Sequence, residues 1–469
     1  MRPRLAVAGG IAAIALLGFV GFPGHTYLQS DTQIYVPMLE HIWDPSTYPG
    51  DLVAAKPHLS FTLYDEIALT LRRLLLAPFE ISFQAQQLLY RAFQIAGVYL
   101  LARAFPLTRA QALTVAAIAG LGATILGPSV LWIEYEPVPR GFAIAFVFLA
   151  IGLAARGHWV WASLAASAGA LYHAPTTVPF WICFLPCLAP RRQWTALVPP
   201  AGALLILLLA SQFQAGVVER QHFFFSIDPE LESLQRLRAS YNWVSLWSPW
   251  LILQYLVLWT ASLIAYRRVR PVAGAVFTLG LPILGILSVP ASYLLLEKLK
   301  WGLMPQFQPA RALLFVTAMA SILTGAAGLR AVASKRWPEA ALWCALALAI
   351  PLQGNLNRSL KPLETGDLIA LESFAREHTP KDAMFAFPHA GKALYPGIFR
   401  ARALRSVYVD WKAGGQVNYY KSLATEWWNR WQNPVPPEGL DYLILKKPDA
   451  LPESVPIYEN GSYAVYRAR

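Results

Sequence analysis

Apolar runs recur along the chain at 5–22, 84–104, 111–128, 141–155, 158–172, 175–189, 195–211, 249–266, 272–288, 311–329 and 338–353. Roughly 20 residues of helix cross a bilayer, so these runs predict an all-α polytopic membrane domain of about 11 transmembrane helices over residues 1–353. The first run follows Met-Arg-Pro-Arg and lacks a small-x-small cleavage site, so it reads as a retained anchor. A different pattern fills the loop 23–83. Ile34, Tyr35, Met38, Leu39 and Ile42 fall at helical spacing, with Ser30 as N-cap, Asp31 in the first turn and Pro45 as the stop. A second amphipathic stretch, 61–78, sets Leu63, Tyr64, Ile67, Leu71 and Leu74 on one side, opposite Asp65, Glu66, Arg72 and Arg73. Helices of this kind lie in a membrane interface.

Beyond 354 the pattern changes to that of a small soluble α/β domain, 354–469. A helix is predicted from Asp367 to His378, strands at Ala383–Pro388, Ser406–Trp411 and Tyr442–Lys446, and a helical stretch at 417–431. Val455–Glu459 and Tyr463–Arg467 flank Asn460-Gly461, a hairpin signal. The tail contains no Gly-rich phosphate loop or nucleophile elbow, so it is expected to cover the outer face rather than carry chemistry.

Composition supports the membrane reading. The 469 residues are 56% hydrophobic and 14% charged, too poor in charge to coat three soluble domains and too apolar for disorder. The net charge of +12 suggests nucleic acid until it is located. Thirteen basic residues, from Arg2 and Arg4 to Lys335 and Arg336, lie on one set of short connections beside a single acid, Glu339. The whole chain has 39 basic and 27 acidic residues, so the rest balances at 26 of each. The positive-inside rule then puts the N-terminus in the cytoplasm and the large loops and tail outside, with no nucleic-acid partner implied. Cys183 and Cys187 lie four apart with no histidine near them, and no metal or other cofactor is expected.

The loop text DTQIYVPMLEHIWDPSTYPGD, behind an anchor and ahead of many spans and a soluble tail, resembles the GT-C glycosyltransferases. It is also similar to a group of uncharacterised bacterial membrane proteins placed near that superfamily. Weaker echoes occur at Pro137–Arg140, His173–Thr177 and Gln308–Arg311. The resemblance implies a multi-pass protein of the bacterial cytoplasmic membrane. It would move a sugar from a polyprenyl-phosphate carrier to an acceptor on the outer face, with Asp31 as catalytic base. Inverting transfer needs a carboxylate for the acceptor's proton, and a leaving lipid phosphate calls for Arg or Lys. Arg140, Arg220, Arg311 and, inside a span, Arg91 are the candidates. Tyr35, Asp51, Glu134, Glu136 and His173 complete the set. Relatives often pair acids in this loop, whereas Thr32 and Gln33 follow Asp31 here, which departs from a metal-dependent pattern.

Each candidate also has a plainer role. Asp31 can serve the helix dipole, Glu134 and Glu136 a local salt bridge to Arg140, and Arg91 can snorkel. His173 can be an interfacial residue, while Arg220 with His222 can belong to a solvated face. Arg400, Arg402 and Arg405 are expected on the tail's surface. Two rival functions stand beside the transferase: a transporter or lipid flippase, and a non-catalytic assembly protein with a transferase-like fold. Acceptor, sugar and oligomeric state are left open.

Overall fold

The computed structural model describes residues 2–54, 62–213, 224–355, 363–436, 438–452 and 454–468. The N-terminal part runs α1 (Arg2–Val20), α2 (Thr32–Trp43), α3 (Tyr64–Leu75), α4 (Phe79–Ala102) and α5 (Arg109–Gly120). A short hairpin, β1 (Thr124–Ile125) and β2 (Val130–Leu131), precedes α6 (Pro139–Ala155), α7 (Trp159–Phe184), the single turn α8 (Leu188–Arg191) and α9 (Val198–Phe213). Then come α10 (Pro229–Arg238), α11 (Pro249–Val269), α12 (Ala275–Ser292), the turn α13 (Met304–Phe307), α14 (Leu313–Ala333) and α15 (Trp337–Asn355).

Helix occupies part or all of every predicted apolar run. Trp194–Gln212, Pro249–Val269, Ala275–Lys298 and Met304–Ala333 are long and apolar enough to cross a membrane, and Arg4–Val20, Pro139–Ala155 and Trp337–Leu352 are shorter apolar helices. With leucines such as Leu204, Leu205 and Leu209 exposed along α9, the chain is a membrane protein. The run 111–128 is a correction: helix stops at Gly120, and Gly122 and Gly127, both at positive φ, turn the chain into the β1–β2 hairpin.

A straight helix over Trp159–Phe184 would separate its ends by roughly 38 Å. Instead those two rings lie 5.8 Å apart, and the Arg191 guanidinium sits 4.7 Å from the Trp159 ring. α7 is therefore two antiparallel legs that reverse at His173 (φ −162°, ψ 90°), just before Pro175. They correspond to the separate stretches 158–172 and 175–189.

α14 is buried nearly all round, the signature of an inner helix, and packs against α5, α11, α12 and α15. α4 and α6 cross at contact distance: a Cβ on Gly97 would lie 2.2 Å from the Phe148 carbonyl oxygen, and one on Gly152 2.3 Å from that of Gly97. Only glycine lets the two backbones approach this closely.

The tail contains α16 (Gly366–His378), β3 (Met384–Ala386), α17 (Tyr395–Ala403), β4 (Ser406–Val407), α18 (Lys421–Gln432), β5 (Tyr442–Lys446), β6 (Tyr458–Glu459) and β7 (Tyr463–Arg467). The sheet order is β4-β3-β5-β7-β6, with β3 parallel to both neighbours and the remaining pairs antiparallel. Asn460 Oδ1 accepts from the amides of Ser462 and Tyr463, closing the expected hairpin.

The tail is not packed alone. Leu28, Val36 and Leu39 of the first loop share one apolar cluster with Leu371, Phe385, Phe399 and Val465. Arg400, expected at the surface, is wholly buried: its Nε donates to Asp51 at 2.7 Å and its Nη2 to Asp410 at 2.8 Å. Arg405 is buried too, donating to the carbonyls of Arg376 and Thr379, and Arg402 bridges Glu80 and Glu364. Arg400 and Arg402 thus join the tail to the N-terminal part through Asp51 and Glu80, while Arg405 is satisfied inside the tail, and local sequence reveals neither. In α3 the buried face is Tyr64, Asp65 and Ala68, whereas Leu74 is exposed, so Asp65 and Leu74 exchange their expected sides.

Candidate functional site

The loop between α1 and α2 ends on a cap that comes from elsewhere in the chain. Glu136, just before α6, accepts from the amides of Ser30 (2.6 Å) and Asp31 (2.8 Å) and from the Thr32 hydroxyl. A carboxylate here satisfies orphan N–H groups and favours the positive end of the helix dipole. This replaces the expected Ser30 cap: Asp31 itself holds the N-cap position, makes no side-chain cap bond, and so has its carboxylate free to face outward.

That carboxylate meets two cations. Arg140 Nη1 donates to Asp31 Oδ2 at 2.8 Å while its Nε donates to Glu134 Oε1 at 2.8 Å. Lys412, from the tail, donates to Asp31 Oδ1 and to Ser30 Oγ, each at 2.9 Å. Burial opposes ionisation of Asp31, yet Lys412 and Arg140 hold its carboxyl well below the ordinary carboxylate range. Glu136 goes the other way: burial and the Asp31 charge raise it, against the Thr32 hydrogen bond. One acid beside the loop is thus firmly ionised, and its neighbour holds a proton more readily.

Asp31 keeps 29% of its side chain exposed, toward a cavity of about 730 Å³. The walls are Asp31 and Tyr35 of α2, Glu134, Glu136 and Arg140 before and at the start of α6, His173 at the reversal of α7, and Arg311 at the start of α14. All three weaker echoes of the first loop reach this one space. Burial raises the Tyr35 hydroxyl well above its ordinary range, so it is a neutral donor. The Thr176 amide can only donate, and it does so to His173 Nδ1, which leaves the ring proton on Nε2. Arg311 is the one of these cations with no hydrogen bond or ion pair to its guanidinium among the described residues, and its Nε is buried without a partner.

An apolar annex of about 220 Å³ adjoins the cavity, bounded by Ile182, Leu284, Leu287 and Phe315 and sharing Arg140, His173 and Arg311 with it. A cluster of charged groups in a largely apolar chamber, with a guanidinium that has no partner among the described residues beside an apolar slot, suits an anionic head carried on a hydrocarbon chain.

Two candidates lie elsewhere. Arg91 is buried outside the cavity, donating to the carbonyls of Gly24 and Glu134; it ties the loop to α4 instead of facing a ligand. Asp51 is fully buried against Arg400 and the Val407 amide, so it joins the loop to the tail. Arg220, with His222, lies outside the described residues. Sequence reasoning missed Lys412, Arg238, Tyr241, Asn418 and Tyr419, which close the cavity from the tail and from the segment around α10. Arg238 donates to the Trp411 carbonyl at 2.8 Å and Asn418 to the Tyr241 hydroxyl at 3.1 Å. The only local signal was the Lys-Ala-Gly-Gly run at 412–415 after a strand, which marks a tight loop without naming its target.

Residues 366–433 match the family model described as "Domain of unknown function (DUF6798)". No curated protein matches the chain. Among solved structures it is similar to the arabinofuranosyltransferase AftD from Mycobacteria, at 14% identity and TM-score 0.46, covering 82% of this chain. The chain spans 29% of the length of AftD. It is similar as well to ArnT from Cupriavidus metallidurans in the apo state, at 11% identity and TM-score 0.35 over 99% of this chain and 98% of that one. ArnT bound to undecaprenyl phosphate gives 12% identity and TM-score 0.33 over 97% of each chain. Likenesses with TM-scores below 0.5 carry no weight for the chemistry, which rests on the cavity's own residues.

Proposed function

We propose that the chain is a membrane glycosyltransferase of GT-C type, moving a sugar from a polyprenyl-phosphate carrier to an acceptor on the outer face of the membrane. The supporting observation is that Asp31, Arg140, His173 and Arg311 border one cavity, charged at this end and otherwise largely apolar, that adjoins an apolar annex. In the reaction, the acceptor oxygen forms a bond to the anomeric carbon as the bond from that carbon to the carrier phosphate breaks. Asp31 takes the acceptor's proton, and the phosphate leaves on its lipid. Arg311, with no partner among the described residues, and the Nε2–H of His173 meet the charge that grows on the departing phosphate. Arg140 holds Asp31 in line through its second bond to Glu134.

The two cations on Asp31 also suit a non-catalytic protein, in which the same cluster is only a structural junction. Asp31→Asn separates the two. With isolated membranes and an undecaprenyl-phosphate-linked sugar as donor, loss of transfer at unchanged protein level supports the transferase. Undiminished transfer removes Asp31 as the base.

A further inference from the structure

We propose that Lys412 is a positioning residue for Asp31, the point at which the tail reaches into the cavity to orient that carboxylate and keep it charged. The inference rests on the transferase reading for its meaning, although the contact itself does not. Lys412 is 8% exposed, a long way from a solvated surface lysine, and its ammonium meets Asp31 Oδ1 and Ser30 Oγ at 2.9 Å each. Arg140 occupies the other carboxylate oxygen, so the two cations fix the plane of the carboxylate from opposite sides.

The loop that carries Lys412 is built to stay put. Asp410 Oδ1 accepts from the Ala413 amide at 3.0 Å and from Arg400 at 2.8 Å, and Trp427 Nε1 donates to the Asp410 carbonyl at 3.0 Å. On the other flank Arg238 holds the Trp411 carbonyl. Gly414 lies flat on Trp427, where a Cβ would approach ring atoms to 2.4 Å, so the loop has no room for a side chain there. A buried chain of ion pairs thus runs from Asp51 through Arg400 and Asp410 to the backbone beside Lys412. The segment matched by the family of unknown function, 366–433, thereby supplies a working part of the cavity.

The groups facing Asp31 are Arg140 from α6, Lys412 from the tail, Glu136 beside the α2 N-terminus, Tyr35 within α2, Tyr419, and the more distant Arg238 and Arg311. Removing one of the two contacting cations leaves the half-buried carboxylate with a single charged partner. Loss of an opposite charge at this range moves a carboxyl by about 1–3 pH units.

The test uses the full chain in detergent and follows protonation of Asp31 by infrared difference spectroscopy, its band assigned by subtracting Asp31→Asn. Lys412→Met should titrate Asp31 at least about one pH unit higher than the unmodified protein, and Lys412→Arg should restore the low value. Native tryptophan fluorescence checks the fold of each variant, and the Arg variant keeps the test open if the Met variant is unstable. Sugar transfer from an undecaprenyl-phosphate donor is measured in parallel, and the acid limb of its pH profile should move up with Lys412→Met. If Asp31 titrates in Lys412→Met as it does in the unmodified protein, while Asp31→Asn is inactive, the role of Lys412 fails alone. If Asp31→Asn still transfers sugar, Asp31 is not the base and Lys412 positions no catalytic group; if the unmodified protein transfers none, the transferase reading itself fails.

Discussion

Replacing Arg400 by Met tests whether the tail is held to the loop by charge. Arg400 is fully buried between two carboxylates, Asp51 and Asp410, with side-chain exposures of 0% and 1%. Removing the guanidinium leaves both acids buried without their cation, a change that costs about 3–5 kcal/mol in comparable buried pairs. Backbone amides soften the loss, since Val53 and Val407 still donate to Asp51 and Ala413 to Asp410. The expected destabilisation is therefore near the lower end, about 3 kcal/mol. The tail shares its apolar cluster with the first loop, so the cooperative unit is larger than the tail alone. At about 2–4 °C per kcal/mol for a unit of that size, the midpoint should fall by roughly 6–12 °C. Tryptophan fluorescence on heating in detergent reads this directly, because Trp427 is hydrogen-bonded to Asp410. The variant Arg400→Met/Asp51→Asn/Asp410→Asn, which buries no unpaired charge, should recover part of the loss. Lys381→Met, which breaks an exposed pair to Asp44, should leave the midpoint where it was. A fall of under about 2 °C in Arg400→Met would refute the claim that buried ion pairing holds this contact.

Gly97→Ala should destabilise the α4–α6 crossing severely, because the new methyl meets a carbonyl of the facing backbone rather than a flexible side chain; yield of folded protein in detergent reads this, and normal yield would contradict the close approach. For Asp31, whose folded pKa is depressed, the stabilising contribution is present above the ordinary value and lost as pH falls through the folded one. The stability difference between the unmodified protein and Asp31→Asn should thus stay constant from neutrality down to about pH 4 and shrink only below it. Glu372 has the opposite sign: burial and the neighbouring Glu364 push it up to about 8, so its contribution is complete below the ordinary 4.5 and lost as pH rises through 8. Unfolding temperatures should decline between pH 6 and 9, and Glu372→Gln should flatten that slope. Arg311→Met, compared at equal protein level, should lower kcat/KM for the lipid-linked donor; an unchanged kcat/KM would remove Arg311 from the phosphate's path.

Much of the helical part was legible because hydrophobic periodicity is a local property. The existence of α2 and the runs around α11, α12 and α14 follow from side-chain spacing alone, but the buried face of α2 does not: Met38 and Leu39 are buried as expected, whereas Thr32, Gln33, Val36 and Pro37 take the place of Ile34, Tyr35 and Ile42. The neighbourhood of Asp31 was legible through short texts such as Pro137–Arg140 and His173–Thr177, which are the points where irregular backbone meets a helix end. What the chain did not announce was pairing across distance. Nothing near Glu136 says that it caps a helix more than a hundred residues earlier, and nothing near Lys412 names Asp31. Asp51 reads as a polar loop residue until Arg400, 349 residues later, closes on it. Burial of a charge is decided by its partner, and partners at this separation leave no period or motif behind.

The Gly97–Gly152 crossing makes the rim of the cavity mechanically unequal. α4 and α6 are locked backbone to backbone, so the wall bearing Glu134 and Arg140 behaves as a fixed rail. α9 contributes Leu204, Leu207 and Leu208 to the lining while packing along α7 and leaving much of its own surface exposed. Free energy of local opening is lowest where buried contacts are fewest. Local opening is therefore expected on the α9 flank rather than beside Asp31, which is bonded to Arg140 on the rail side.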